Sequence, residues 1–166
     1  MLKGYDVAVV EECGAWADAL SEQAKNDYDM FIMRDKRYLM WRYDNHPDYT
    51  YQYTLLKKRG KVVGWWVTRK VGQTLLLIDA FCMRDHSKQM INGLHELLRI
   101  ETSCTEITGW FSSNPEWWHK QLISMGFQQK RQSENLDLCA TFFNNKYDQS
   151  DLANKFYFTM GDSDLF

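Results

Sequence analysis

One carboxylate, Asp79, stands inside the run 74–83, where Leu75, Leu76, Leu77, Ile78, Ala80, Phe81 and Cys82 are all apolar. Such a run reads as a central strand buried on both faces. A carboxylate there is costly unless it is paired or put to chemical use. Burial would also raise its pKa toward the range a general base needs. Two readings are open from the residues: a proton-abstracting base, or a structural Asp bonded to Arg, Lys or backbone. The other reactive residue types form no constellation. Cysteines stand at 13, 82, 104 and 139 without a CxxC pair, so neither a zinc knuckle nor a thioredoxin-like motif is present. They read as reduced, mostly buried thiols. Histidines 46, 86, 95 and 119 lack the spacing of a helix-borne metal site, so no metal is expected.

The elements that must position Asp79 follow from periodicity. Residues 5–13 alternate weakly and are valine-rich, a first strand. Trp16, Ala17, Leu20 and Ala24 recur at helical spacing over 15–27. The stretch 29–33 is a short strand or a connector. Asp35 can cap a short helix carrying Tyr38, Leu39 and Trp41, which ends near Pro47. Strands at 51–57 and 62–71 flank Arg59-Gly60, a hairpin turn. After a second turn at Gly72-Gln73 comes the strand at 74–83. Met90, Ile91, Leu94, Leu97 and Leu98 give the clearest helix, 85–103, capped by Asp85 or Ser87. Residues 106–111 are a strand. Asn114-Pro115-Glu116 then opens a helix that runs to Met125 and stops at Gly126, with Asn114 as cap. Strands follow at 136–143 and 155–160, around a polar loop at 144–154. Central hairpins followed by βαβ give a mixed, mostly antiparallel seven-stranded α/β (α+β) sheet with helices on both faces, in a single domain over 1–166.

Composition excludes several classes. The 166 residues are 45% hydrophobic and 25% charged, ordinary for a globular domain, which argues against long disorder. A net charge of −2 argues against nucleic acid as partner. No apolar run approaches the ~20 residues that span a bilayer, and no signal-peptide pattern opens the chain, so no membrane partner and a cytoplasmic location are expected. The unusual feature is 15% aromatic residues, with Trp doublets at 65–66 and 117–118. Neighbours on a strand point to opposite faces. Trp65 and Trp66 therefore either enter two covered faces, or one of them meets a cleft or partner.

The element order and several short motifs resemble the GNAT (N-acetyltransferase) superfamily across nearly the whole chain. Asn114-Pro115-Glu116-Trp117-Trp118, continued by Leu122 to Gly126-Phe127, is similar to that family's fourth-helix pattern. Lys61-Val62-Val63-Gly64 resembles its third strand. Arg34-Asp35, Tyr38-Leu39, Trp41-Arg42-Tyr43, His46-Pro47 and the ending Phe158-Thr159-Met160-Gly161-Asp162-Ser163-Asp164 resemble a subgroup in which this unit is often the C-terminal half of a tandem protein. The resemblance implies an acyl-CoA-dependent acetyl transfer to an amine. Acetyl-CoA would lie in a gap between the strand at 74–83 and the strand at 106–111. Phe81, Cys82 and Met83 would present backbone to the pantetheine. The pyrophosphate would sit at the following loop and helix start, near Arg84, His86, Ser87, Lys88, Gln89 and Asn114, where orphan N–H groups and the helix dipole favour an anion. Asp79 would be the base.

Two departures from the pattern stand out. The phosphate loop of the family is glycine-rich, but 83–90 contains no glycine, and Asp85 adds a negative charge. Arg84, His86 and Lys88 can compensate as side-chain donors. The family's acid position holds Leu122, which has no proton to give, leaving His119, Ser112 and Ser113 as candidate acids. The alternative function is therefore a catalytically inactive GNAT-like domain that binds a substrate or a partner domain. A homodimer is possible in either case. Arg34, Arg37 and Arg42, interleaved with Asp35, Asp44 and Asp48, read as a salt-bridged surface, with an anionic-substrate site as the alternative. Asp162 and Asp164 read as a solvated tail, or as a holder for a cationic amine.

Overall fold

The computed structural model describes residues 3–100, 103–130 and 146–163. Strands β1 (Tyr5–Val10), β3 (Gln52–Lys58), β4 (Lys61–Val71), β5 (Thr74–Cys82) and β6 (Glu106–Gly109) form one sheet in the order β1-β3-β4-β5-β6. Every neighbouring pair is antiparallel except β5 with β6, which is parallel. A second, two-stranded parallel sheet joins β2 (Met30–Phe31) to β7 (Phe156–Tyr157). The strand expected at 136–143 lies outside the described residues. The β3–β4 hairpin turns at Arg59 and Gly60, both at positive φ, the sign pattern of a two-residue hairpin turn.

Helices cover both faces of the sheet. On one lie α1 (Trp16–Ala24) and α2 (Lys36–Leu39), the latter continued by a wide π-type turn over Met40–Asp44. Asp35 caps α2, its Oδ1 accepting from the Tyr38 backbone N–H at 2.8 Å. On the other face lie α3 (Ser87–Ile100) and α4 (Glu116–Ser124). This arrangement answers the tryptophan doublet. Trp65 packs beside Trp16 of α1, with ring centroids 6.4 Å apart, whereas Trp66 reaches Gly93 of α3. Both are almost fully buried, so the doublet fills two cores and not a cleft.

Three local expectations change. The polar loop expected at 144–154 contains a helix, α5 (Gln149–Lys155), because Asp148 and Asp151 form a reciprocal capping box at its start. Asn114 is not the α4 cap. Pro115 holds that position, and the Asn114 carbonyl accepts instead from the Ser112 hydroxyl at 2.7 Å. Before α3, Arg84–His86 form a 3-10 turn, and the helix proper begins at Ser87. Cys13, Cys82 and Cys104 are free thiols. No helix among the described residues is long and apolar enough to cross a membrane.

Candidate functional site

The gap that the family resemblance implies exists in the pairing pattern. β6 follows β5 only from Thr74 to Leu77, opposite Glu106 to Gly109. Gly109 allows the last close approach, since a Cβ there would stand 2.6 Å from the Leu77 carbonyl oxygen. Beyond it β5 continues through Ile78–Cys82, while the other chain turns away at Trp110 toward the C-terminal strand. There Phe111 bridges Thr159, and Met160 N–H donates to the Trp110 carbonyl at 3.0 Å.

The β5 edge facing this gap is already bonded within the chain. The Tyr157 hydroxyl donates to the Ala80 carbonyl at 2.5 Å. The Tyr28 hydroxyl donates to the Cys82 carbonyl at 3.0 Å and accepts from the Cys82 N–H at 3.2 Å. The Ala80 N–H donates to Asp79 Oδ1 at 2.8 Å. The rings that carry these hydroxyls fill the space. Tyr28 stacks on Phe81 at 4.7 Å and lies 4.9 Å from Tyr157 and 5.4 Å from Trp117. Burial pushes both tyrosine hydroxyls well up, which keeps them protonated donors. The Cys82 thiol is fully buried and pushed up for the same reason, so it is a core residue and not a nucleophile.

Asp79 sits beneath this layer, fully buried, and four protein groups bond or pair with it. Arg34 Nε lies 3.1 Å from both carboxylate oxygens. The Tyr43 and Thr159 hydroxyls each donate at 2.9 Å, and the Ala80 N–H completes the set. Arg34 continues to a second buried carboxylate, Asp162, at 2.7 Å from Nη2. Tyr38 donates to the other oxygen of Asp162 at 3.1 Å. One cation thus serves two carboxylates. That explains the direction of the Asp79 pKa: burial raises it, Arg34 pulls against the rise, and the Asp162 charge adds to it. Arg34 stays charged, because the two carboxylates outweigh the burial that works against it. The salt-bridged surface expected for Arg34 and the solvated tail expected for Asp162 are therefore corrected: Arg34 is ion-paired, but both side chains are buried. The β2–β7 pairing brings residues more than 120 positions apart into one dry cluster, where a lone charge would not survive unpaired. Asp164 lies outside the described residues.

The loop at 83–89 is also internally engaged. Met83 N–H donates to the Val63 carbonyl at 3.1 Å, and His86 N–H to the Met83 carbonyl at 2.9 Å. The Arg84 N–H donates at 2.9 Å to Asp27 Oδ2, so a carboxylate already takes an amide that a diphosphate would use. His86 is buried, with Nδ1 2.9 Å from the Tyr5 hydroxyl. Burial and Lys58 hold its pKa below the usual histidine value, against Asp85. Lys88 is exposed, Ser87 is buried, and the Gln89 Oε1 is buried without a partner among the described residues. None of the candidate acids hydrogen-bonds Asp79 among the described residues. Ser112 bonds the Asn114 carbonyl and accepts from the Phe158 N–H at 3.0 Å. His119 is half-buried on α4, and Ser113 is exposed.

The site thus unites Asp79 with residues that sequence reasoning did not place beside it: Tyr28, Arg34, Tyr43, Tyr157, Thr159 and Asp162. The subgroup motifs did carry Arg34, Tyr43, Thr159 and Asp162. Tyr28 and Tyr157 had no signal beyond aromatic composition. A cleft of about 550 Å³ remains at the mouth of the gap, lined by Asp27, Asp29, Arg84, Asn114, Trp117 and Lys120 among others.

No family model matches the sequence, and no curated protein matches it. Solved structures do resemble the fold. The ribosomal-protein-alanine N-acetyltransferase from Brucella melitensis biovar Abortus 2308 superposes with a TM-score of 0.56 at 12% identity, over 81% of this chain and 99% of that one. An aminoglycoside acetyltransferase from an uncultured soil metagenomic sample, in complex with sisomicin, gives 0.56 at 12% identity over 84% and 98%. The same enzyme in complex with trehalose gives 0.55 over the same shares. With the splayed β5–β6 pair and helices on both faces of the sheet, the chain has the fold of the GNAT acetyltransferases.

Proposed function

We propose that this chain is a GNAT-fold binding module whose acyl-CoA slot is occupied by its own side chains. It would hold a substrate or a partner domain and transfer no acetyl group itself. The observation that carries this reading is the bonded β5 edge. Ala80 and Cys82 offer the backbone groups that a pantetheine chain would need, and Tyr157 and Tyr28 already take them. The residues present therefore do not fit an acyl-CoA in this closed form. The glycine-free loop, with Asp27 on the Arg84 amide, points the same way, because a carboxylate there repels a diphosphate. The resemblance to C-terminal halves of tandem proteins makes a partner domain the first candidate for what it binds.

One observation favours the second reading, an acetyl-CoA-dependent N-acetyltransferase acting on an amine. The cleft at the gap mouth is large and presents Arg84, Lys120 and Asn114. In that case Asp79 is the base, His119 or Ser112 the acid, and Tyr28 must leave the edge. Calorimetry with acetyl-CoA, repeated at high salt, separates the two. The module reading expects no saturable heat at about 1 mM acetyl-CoA. A micromolar dissociation constant would overturn it. Tyr28→Ala is the companion variant: gain of binding there, with none in the unaltered chain, supports the self-occupied slot.

A further inference from the structure

A second polar cluster lies away from the gap. The loop at 45–50, between the π-type turn and β3, carries His46-Pro47, which the proposed function leaves unused. His46 Nδ1 accepts the backbone N–H groups of Asp48 and Tyr49, each at 3.2 Å. With Nδ1 as acceptor, the neutral ring carries its proton on Nε2. The ring stacks on Tyr49 at 5.0 Å and meets Tyr51 edge-on at 5.6 Å. The Arg69 guanidinium of β4 lies 3.9 Å from the Tyr49 ring centre and 5.9 Å from that of Tyr51.

Arg69 Nε and Nη1 are buried with no hydrogen-bond partner among the described residues. Arg69 as a whole is half-buried, and shielding two guanidinium nitrogens from water without an acceptor is costly. The neighbouring guanidinium differs, since Arg42 is engaged by the Gly161 and Ser163 carbonyls. Burial raises the Tyr51 pKa, while Arg69 and Arg42 pull it down. Asp48 stands in the same loop and is exposed, and no ion pair joins it to Arg69 among the described residues.

We propose that Arg69, His46 and Tyr51 form a binding site for an oxyanion, a carboxylate or a phosphate, with Tyr49 stacked over the guanidinium as a movable cover. All three groups offer protons, one of them carries a fixed positive charge, and no carboxylate bonds them among the described residues. An oxyanion supplies the missing acceptors, and Arg is the side chain best shaped to fork onto one. The cover sits in a loop and is 46% exposed, so it can swing out without disturbing the core. Arg69 pairs with Leu76, in the stretch where β5 and β6 still run together. The site is therefore separate from the gap and stands whether or not acyl-CoA binds there.

The test is nuclear magnetic resonance of the Arg69 Nε–H and His46 ring signals in the full, isotope-labelled chain. Arg69→Lys identifies the arginine signal by its loss. The chain is titrated with inorganic phosphate, with acetate, and with chloride as control. A saturable shift is expected with a dissociation constant of about 1–20 mM, weakened about tenfold in Tyr51→Phe and in His46→Gln. Saturation by phosphate alone assigns a phosphate-bearing ligand, and by acetate alone a carboxylate. An equal response to chloride overturns the proposal. So does the absence of saturation by either oxyanion, both in the unaltered chain and in Tyr49→Ala, where the cover is gone.

Discussion

Replacing Arg34 by Met removes the one cation that two buried carboxylates share. Arg34 is fully buried, and its guanidinium reaches Asp79, Asp162, Thr159 and the Ile32 carbonyl at 2.7–3.3 Å. Met matches the volume roughly, so the loss is electrostatic and not a cavity. After the change Asp79 keeps Tyr43, Thr159 and the Ala80 N–H, and Asp162 keeps Tyr38 and the Thr159 N–H. Those donors soften the penalty without neutralising either charge. Breaking a buried pair in this way costs about 3–5 kcal/mol. That is a large share of the ~5–15 kcal/mol by which domains are stable. In urea, with a slope near 2 kcal/mol/M, the midpoint falls by about 2 M. Arg34→Lys retains the charge without the fork and should lose less. The pH dependence gives the sign. With Arg34 gone, the Asp79 carboxyl loses the charge that pulls against its rise, so the variant binds more protons in its native state than the unaltered chain does. Its deficit then shrinks as the pH falls from 8 toward 5. A loss below about 1 kcal/mol, or a deficit that does not change with pH, would refute the dry, two-carboxylate cluster, because a solvated pair behaves that way.

His86 has a folded pKa held below its ordinary value, so its contribution is whole above about pH 6.5 and is lost as the pH falls through that folded pKa. In His86→Gln the melting temperature should fall less steeply between about pH 7 and pH 5 than in the unaltered chain, and an unchanged slope contradicts the assignment. Gly161→Ala places a methyl against the Tyr43 hydroxyl and 3.2 Å from the Asp79 Cβ, so it should destabilise by about 1–3 kcal/mol in urea, with no loss if Tyr43 can step aside. Trp65→Ala and Trp66→Ala should each lose about 3–5 kcal/mol, because the two rings fill separate cores, whereas Trp41→Ala, 65% exposed, should stay within about 0.5 kcal/mol. A small loss at either member of the doublet would mean that one face of the sheet is loosely covered.

Much of the frame is local and therefore legible in order along the chain. The apolar run of β5, the Arg59-Gly60 turn, the Asp35 cap and the 3.6-residue period of α3 are each decided by residues within one or two turns of one another. The element order and motif spacing that suggested the GNAT fold come from the same level. Departures arose where a short range did not decide. The α5 helix depends on a reciprocal Asp148–Asp151 cap inside a stretch whose polarity suggested a loop. Arg34 and Asp162 looked like surface charges because local sequence carries no record of what packs over them.

The sequence alone determined that Asp79 would be an isolated charge in a buried strand, and that the loop after it lacks the glycines of a phosphate cradle. Whether that charge was a free base or a paired one was decided only by the tertiary structure. The deciding partner, Arg34, lies 45 positions away, and its second carboxylate lies a further 83 beyond Asp79. The state of the gap was likewise invisible along the chain. It rests on two tyrosine hydroxyls, 54 and 77 positions from the carbonyls they bond. Burial and hydrogen-bond satisfaction are properties of the packed whole, so a side chain's pattern position says that it is inside, and only its neighbours in space say what it does there.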